Sequence, residues 1–115
     1  MVATHHPLAV LHAADRRHVL RGAEQAIAAW QDAGVDVVMG GHIHLPYYLP
    51  LPAPSAKRKP LWVAQAGTAV SWRLRPGTRH SVNLLRRAAG RDWRLERWDH
   101  DPARAAFAVA DWAAL

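Results

Sequence analysis

Cysteine is absent from the 115-residue chain, so neither a disulfide nor a thiolate metal ligand can form. A metal ion would therefore have to be bound by histidine, carboxylate or amide groups. No apolar run approaches the roughly 18 to 20 residues that a membrane-spanning helix needs, and no basic segment followed by a long apolar stretch opens the chain. From these absences we expect a cytoplasmic protein that has no membrane partner.

Acidic residues are scarce relative to basic ones, 9 against 15, which gives a formal net charge of +6. Such a positive field attracts nucleic acids, nucleotides and phosphoesters alike, so it favours an anionic partner without identifying it. An excess of alanine and arginine is also what a GC-rich genome produces. Half of the residues are hydrophobic and six are tryptophan, which excludes intrinsic disorder and predicts a single globular unit over residues 1–115.

A strand, a helix and a second strand are predicted in the first third of the chain. The helix spans residues 16 or 17 to 33, where apolar side chains recur at intervals of three and four and Gly34 follows as a stop signal. The preceding strand ends at His5, and the following strand covers Val35 to Gly41. Because a helix joins the two strands directly, the sequence predicts that they pair in parallel.

The rest of the chain is predicted to contain a long loop, a strand and a hairpin. Five of the eight prolines lie within residues 45–60, which excludes a regular helix or a central strand there and predicts a loop. Residues 61–67 read as a strand, and residues 80–88 and 92–98 read as a β-hairpin that turns around Gly90. After Asp101, the tail is predicted to be either a helix or irregular.

Two histidines separated by one residue follow a double glycine directly after the second predicted strand. In extended backbone, His42 and His44 would face the same side with Cβ atoms roughly 6 to 7 Å apart, a separation that suits two neighbouring metal ions. Gly40 and Gly41 would let the backbone approach an ion or ligand closely. The pattern therefore predicts a metal site at the end of this strand, with Gly41 in a supporting role.

A second histidine pair, His5 and His6, ends the first predicted strand and precedes Pro7. Proline pushes His6 into an extended conformation, and adjacent extended side chains face opposite ways. At most one of the pair should therefore enter the same site. We expect His5 to be the ligand and His6 to support it from behind or to pack elsewhere.

These residues resemble the metal motifs of the calcineurin-like metallophosphoesterases, which contain H-x-P and G-H-x-H. The motifs read here as His5-His6-Pro7 and Gly41-His42-Ile43-His44, and the segment Gln65 to Arg75 resembles the strand and turn after the metal loop. The resemblance covers nearly the whole chain. It implies half of a four-layer α/β/β/α sandwich, with a mixed sheet, one clear helix and a C-terminal β-hairpin.

The resemblance also implies a site and a reaction. His5 and His42 would bind one ion and His44 a second, the two being divalent or trivalent transition-metal ions such as Mn, Fe, Zn or Ni. The implied reaction is hydrolysis of a phosphomonoester or phosphodiester by a hydroxide that both ions activate. Arg73 and Arg75 are candidates to contact the substrate phosphate, although a solvated strand edge is the alternative reading.

The amino-terminal motifs of that family, D-x-H, G-D-x-x-D and G-N-H-D or G-N-H-E, are missing from the sequence. No bridging carboxylate is therefore expected, and two divalent ions this close would repel each other strongly. We expect the chain to be the C-terminal part of a phosphoesterase domain that is inactive alone. The remaining ligands would come from an N-terminal half in cis or from a partner chain.

Two other functions fit parts of the sequence. A non-catalytic basic module that binds nucleic acid or a protein partner would explain the charge, and a degenerate phosphoesterase scaffold would explain the fold. Nucleic-acid binding is not favoured, because the basic residues are spread out and no recognised nucleic-acid motif is present. The histidines outside the two motifs, His12 and His18 among them, are predicted to be surface or packing residues.

Overall fold

Short apolar runs form a four-stranded mixed sheet, the first of two sheets in the computed structural model, which describes residues 1–87 and 92–115. Its strands are β1 (Val2–Ala3), β2 (Val37–Gly40), β3 (Tyr47–Leu51) and β4 (Leu61–Gln65). The spatial order is β1-β2-β4-β3, with β1, β2 and β4 parallel and β3 antiparallel to β4. The predicted parallel pairing of the first two strands is confirmed.

Two helices, rather than the one predicted, connect β1 to β2. A 3-10 helix covers Ala13–His18, and the α-helix α1 covers Ala23–Asp32. Gly22 separates them with a φ of 75°, a left-handed conformation that glycine adopts without steric cost. The prediction of one helix from residue 16 or 17 was wrong in its first part, because apolar periodicity does not reveal this break.

The proline-rich segment contains a strand, so the prediction that residues 45–60 are all loop was wrong. Pro50 lies in β3 opposite Trp62, but β3 is the edge strand of the first sheet. An edge strand tolerates proline because one row of its backbone groups needs no partner, whereas a central strand does not. The prolines exclude a regular helix and a central strand, but not an edge strand.

The second sheet is an antiparallel meander of β5 (Ser81–Arg87), β6 (Trp93–Asp101) and β7 (Ala106–Ala114). The predicted pairing of the two hairpin strands is present, while the predicted turn at Gly90 lies outside the described residues. The tail was predicted to be helical or irregular, and this was wrong. The tail instead forms β7, which pairs antiparallel with β6 and places Phe107 opposite His100.

Apolar clusters on both faces of the first sheet hold the layers together. On one face, Ile27 and Trp30 of α1 pack against a cluster of buried side chains. The cluster comprises Leu8, Val38, Ile43, Tyr47, Leu61 and Val63. The other face packs on the second sheet through Val37, Ala64 and Leu95. The chain is therefore a mixed α/β protein in which helices, the first sheet and the second sheet form successive layers.

The outer face of the second sheet carries apolar side chains that remain accessible to solvent, including Leu84, Val109 and Trp112. Register places Leu84 and Trp112 on either side of Glu96, so they share that face. Within the described residues, no helix is both long and apolar enough to cross a bilayer.

Candidate metal centre

The carboxyl ends of the parallel strands bring both histidine motifs to one edge of the first sheet. β1 ends just before His5 and His6, and β2 ends just before Gly41 and His42. The backbone continues to bond across this edge, since the Gly41 N–H donates to the His5 carbonyl at 3.2 Å. In open α/β sheets, this edge is where ligands bind.

The backbone at His42 and His44 is left-handed rather than extended. Their φ angles are 73° and 55°, and the Ile43 N–H donates to the Gly41 carbonyl at 2.9 Å, which closes a γ-turn centred on His42. Such conformations cost non-glycine residues about 1–3 kcal/mol each and cluster at functional sites. The extended-strand argument for the direction of the two side chains was therefore wrong.

Glycine is required at Gly40 rather than at Gly41. A Cβ at Gly40 would lie 2.7 Å from Gln65 Oε1 and 3.4 Å from the His6 carbonyl, whereas a Cβ at Gly41 would meet only the His5 carbonyl at 3.9 Å. The Gln65 amide also donates to the Gly41 carbonyl. Gly41 thus supports the site through its backbone, and Gly40 allows the close packing beneath it.

Three imidazoles meet at the end of β1 and β2. Ligand nitrogens of His5, His6 and His42 all lie within 4.8 Å of one another. His5 Nε2 lies 3.2 Å from His42 Nδ1, and the ring centroids of His6 and His42 are 4.4 Å apart. His6, expected to point away, belongs to the same group because the chain is bent after β1 rather than extended.

His18, which the sequence placed among surface or packing residues, also contacts this group. Its Nδ1 lies 3.2 Å from His42 Nε2, and its carbonyl oxygen accepts a hydrogen bond from His6 Nδ1 at 3.1 Å. After the 3-10 helix the chain passes close to the segment that follows β1, where the Leu20 N–H donates to the Pro7 carbonyl, and this brings His18 near the group. No motif or periodicity in the sequence signals this approach.

Hydrogen bonds link the rings of His18, His42 and His5. Arg17 Nε donates to His18 Nε2 at 3.1 Å, His18 Nδ1 lies 3.2 Å from His42 Nε2, and the direction of the contacts between the rings depends on their tautomers. Desolvation is the largest cause that holds the pKa of His42 below 6.5, and repulsion from His6 is the next. His42 therefore favours the neutral form, which is the form that binds metal ions.

His44 faces the same cleft from a different position. Its Nδ1 donates to the Arg73 carbonyl oxygen at 2.9 Å, which fixes the tautomer and leaves Nε2 with a free lone pair. His44 is not part of the three-imidazole group, but it lines a cleft of about 540 Å³ together with His5, His18, His42, Arg73 and Arg75. Ligand pockets typically measure about 300–1,000 Å³, so the cleft is large enough for a small-molecule ligand.

The two arginines predicted to contact substrate have different surroundings. Arg75 donates from both terminal nitrogens to the buried carboxylate of Asp15, at 3.1 and 2.9 Å. This bidentate pair attaches the cleft wall to the 3-10 helix and leaves three N–H donors of Arg75 outside the pair. The guanidinium of Arg73 forms no ion pair with any residue in the ranges 1–87 and 92–115.

The donor chemistry fits one metal ion better than two. Imidazole suits Zn, Ni and Fe, and the three grouped rings offer nitrogen ligands without any thiolate. No aspartate or glutamate from the described ranges lines the cleft. A second, closely spaced divalent ion would therefore lack the carboxylate needed to offset repulsion between the ions.

Comparisons of the chain with models of protein families, with curated proteins and with solved structures found no match. The resemblance to calcineurin-like metallophosphoesterases accordingly remains a prediction that rests on the two histidine motifs.

Proposed function

We propose that this chain supplies part of the active site of a metal-dependent phosphoesterase of the calcineurin-like type, acting on phosphomonoesters or phosphodiesters. The observation that carries the proposal is the approach of His5 Nε2 to His42 Nδ1, 3.2 Å, beyond the carboxyl ends of two parallel strands. Two motifs 37 residues apart in sequence thus converge in one cleft, with His44 beside them.

The residues present supply part of the metal chemistry of such an enzyme. His5 and His42 would hold one ion, and His44 would offer its Nε2 to the second of two transition-metal ions, Mn, Fe, Zn or Ni. Bound there, the ions would lower the pKa of a water molecule and polarise the phosphoryl oxygens. The left-handed backbone at His42 and His44 fixes the direction of both rings in advance.

Arg73 is the residue that we assign to the substrate phosphate. Its side chain lines the cleft without an ion pair inside the described part of the chain, while Arg75 is bonded to Asp15. A guanidinium can donate two parallel hydrogen bonds to phosphate oxygens and orient the ester. The net charge of +6 would additionally steer an anionic substrate toward the protein.

Completion of the two-ion site requires carboxylates from another segment. We propose that an N-terminal half in cis, or a partner chain, supplies these ligands and the fourth layer of an α/β/β/α sandwich. The accessible apolar side chains Leu84, Val109 and Trp112 lie on the face that such a layer would cover. The chain alone is then inactive as a two-ion enzyme. We propose that the assembled enzyme acts in the cytoplasm.

Hydrolysis of bis(p-nitrophenyl) phosphate and p-nitrophenyl phosphate tests the proposal. The protein should be expressed from its native gene context, so that any associated segment or partner is retained, and assayed with Mn²⁺, Zn²⁺, Ni²⁺ and Fe²⁺. His42→Ala should reduce metal-dependent turnover by several orders of magnitude, because it removes a metal ligand. His12→Ala, an exposed histidine outside the cleft, is the matched control and should leave turnover unchanged.

Two results would reject the phosphoesterase proposal. One is equal turnover in His42→Ala and the parent protein. The other is absence of hydrolysis of both esters with all four metals in a preparation that contains its associated segment.

The alternative function, binding of nucleic acid by a basic module, has less support from the surface charges. Arg94 and Arg97 on the second sheet pair with Glu96 and Asp99 at 3.1 and 3.0 Å, which offsets their positive charge. Salt-dependent retention of single- or double-stranded nucleic acid by the chain would favour this alternative, because phosphate neutralisation releases counterions.

A further inference from the structure

We propose that this chain holds one transition-metal ion by itself, through His5, His6 and His42, with His6 as the third ligand. The inference deepens the proposed function and rests on it for the location of the site, but not for the reaction. It differs from the two-ion assignment in two respects. His6 binds the ion instead of supporting it, and His44 is not needed.

The hydrogen bond of His6 leaves the correct nitrogen available. His6 Nδ1 donates to the His18 carbonyl at 3.1 Å, so Nε2 of a neutral ring carries a free lone pair. Histidine ligands usually donate their second ring N–H to a carbonyl or carboxylate, which fixes the tautomer and the ring orientation. Thr4 Oγ1 donates to the His6 carbonyl at 2.8 Å and restrains the backbone beside it.

The separations between nitrogens are close to those of a shared ion. Two imidazole nitrogens bound to one tetrahedral Zn²⁺ at about 2.0–2.1 Å lie roughly 3.3 Å apart. His5 Nε2 and His42 Nδ1 are already 3.2 Å apart, joined by a hydrogen bond whose proton a bound ion would displace, and a nitrogen of His6 lies within 4.8 Å of a nitrogen of each of the other two rings. A movement of the His6 ring toward the other two rings would complete the triangle.

Three neutral imidazoles with one open position form a recurrent donor set for Zn²⁺. They require no thiolate and no carboxylate, which agrees with the absence of both from the cleft within the described residues. His18 acts on the group from the opposite nitrogen of His42, at 3.2 Å, so it is a positioning residue rather than a ligand. The uncompensated charge of the ion would face the same cleft as Arg73 and attract an anion.

Cobalt titration of the untagged full chain tests the inference, because four-coordinate Co²⁺ gives visible absorption bands that do not depend on turnover. We expect a saturable spectrum with one Co²⁺ per chain, displaced by one Zn²⁺. His6→Ala should weaken Co²⁺ binding at least about 100-fold. Loss of a residue that only orients a ligand typically weakens metal binding by about 10- to 100-fold. His44→Ala should retain the spectrum and the stoichiometry.

Matched variants separate ligation from folding. His6→Asn keeps a donor near the His18 carbonyl but removes the imidazole, and circular dichroism would verify that it is folded; it should lose the spectrum as His6→Ala does. His12→Ala, which removes an exposed imidazole away from the group, should bind as the parent does. Parent-like affinity in folded His6→Asn would overturn the inference, as would a loss in His44→Ala as large as in His6→Ala.

The two proposals fail in distinguishable ways. A chain that binds one Co²⁺ through His6 but never hydrolyses phosphoesters in its native context supports this site and rejects the phosphoesterase. Hydrolysis that depends on His42 and His44 but not on His6 supports the phosphoesterase and rejects the three-imidazole site.

Discussion

The two sheets of this protein differ in what they contribute. Strands of the first sheet are short, at most five residues, and their ends carry the histidines and the cleft. Strands β6 and β7 of the second sheet are nine residues long and far from the cleft histidines in sequence, and β6 packs on the first sheet through Leu95. The candidate metal centre thus lies at the first sheet, whereas the second sheet provides buried apolar area beneath it.

Replacement of Leu95 by alanine should have the largest effect on stability. Leu95 is fully buried between the sheets, and truncation of a buried leucine typically costs about 2–5 kcal/mol through lost transfer free energy and a residual cavity. Leu84→Ala, on the outer face of the same sheet and 41% exposed, should cost less than about 1 kcal/mol. Urea denaturation of both variants measures the difference.

If the proposed metal site is correct, folded Leu95→Ala should bind metal with parental affinity, since Leu95 packs between the sheets with Val37 and Ala64 and does not line the cleft. Equal destabilisation by Leu95→Ala and Leu84→Ala would contradict the assignment of the inner face as the core of the second sheet.

Asp15→Asn should have an intermediate effect. The substitution weakens a bidentate pair in which Asp15 is buried and Arg75 is about one third exposed, so we expect a loss of about 1–2 kcal/mol in the free energy of unfolding. The matched control is Asp32→Asn, which affects the exposed pair with Arg58 and should cost less than about 0.5 kcal/mol. Chemical denaturation distinguishes the two, and identical losses would mean that Asp15 does not anchor the cleft wall.

Glu96→Gln should have the smallest effect, visible mainly in acid. The hydrogen bond from Trp98 Nε1, at 2.8 Å, is the largest cause that lowers the pKa of Glu96 below 4.5, and Arg86 and Arg94 lower it further. A carboxyl group with a lowered pKa in the folded state stabilises the protein above its ordinary pKa, and this contribution is lost as the pH falls through the folded-state value.

Thermal melts between about pH 6 and pH 3 would measure that contribution. The melting temperature of the parent should fall more steeply below about pH 4.5 than that of Glu96→Gln. Asp92→Asn, which changes an exposed carboxyl group at the start of the same strand, should follow the parent. Parallel curves for the parent and Glu96→Gln would show that the Trp98 contact has no energetic consequence.

Much of the first sheet could be predicted from the sequence because its signals are local. Apolar runs located β2 and β4, and the helical connection established the parallel pairing of β1 and β2. Two predictions, the all-loop segment at residues 45–60 and the single helix, failed for physical reasons. An edge strand tolerates Pro50, and the left-handed Gly22 divides the helical region without interrupting its apolar spacing.

The candidate site was predictable only as far as its motifs extended. His5, His42 and His44 were found by spacing, and all three line one cleft. His18 could not be found, since a hydrogen bond between Leu20 and the Pro7 carbonyl brings it there. Nor does the sequence reveal that the buried Asp15, 60 residues earlier, accepts a hydrogen bond from each terminal nitrogen of Arg75.

X-ray absorption at the zinc K-edge of the untagged chain loaded with one equivalent of Zn²⁺ tests the central claim most directly. The account predicts a nearest shell of nitrogen at about 2.0–2.1 Å with outer-shell scattering from at least two imidazole rings. Both features should diminish in His42→Ala and persist in His12→Ala. A shell of oxygen alone, without imidazole scattering, would contradict the convergence of His5 and His42 on a metal ion.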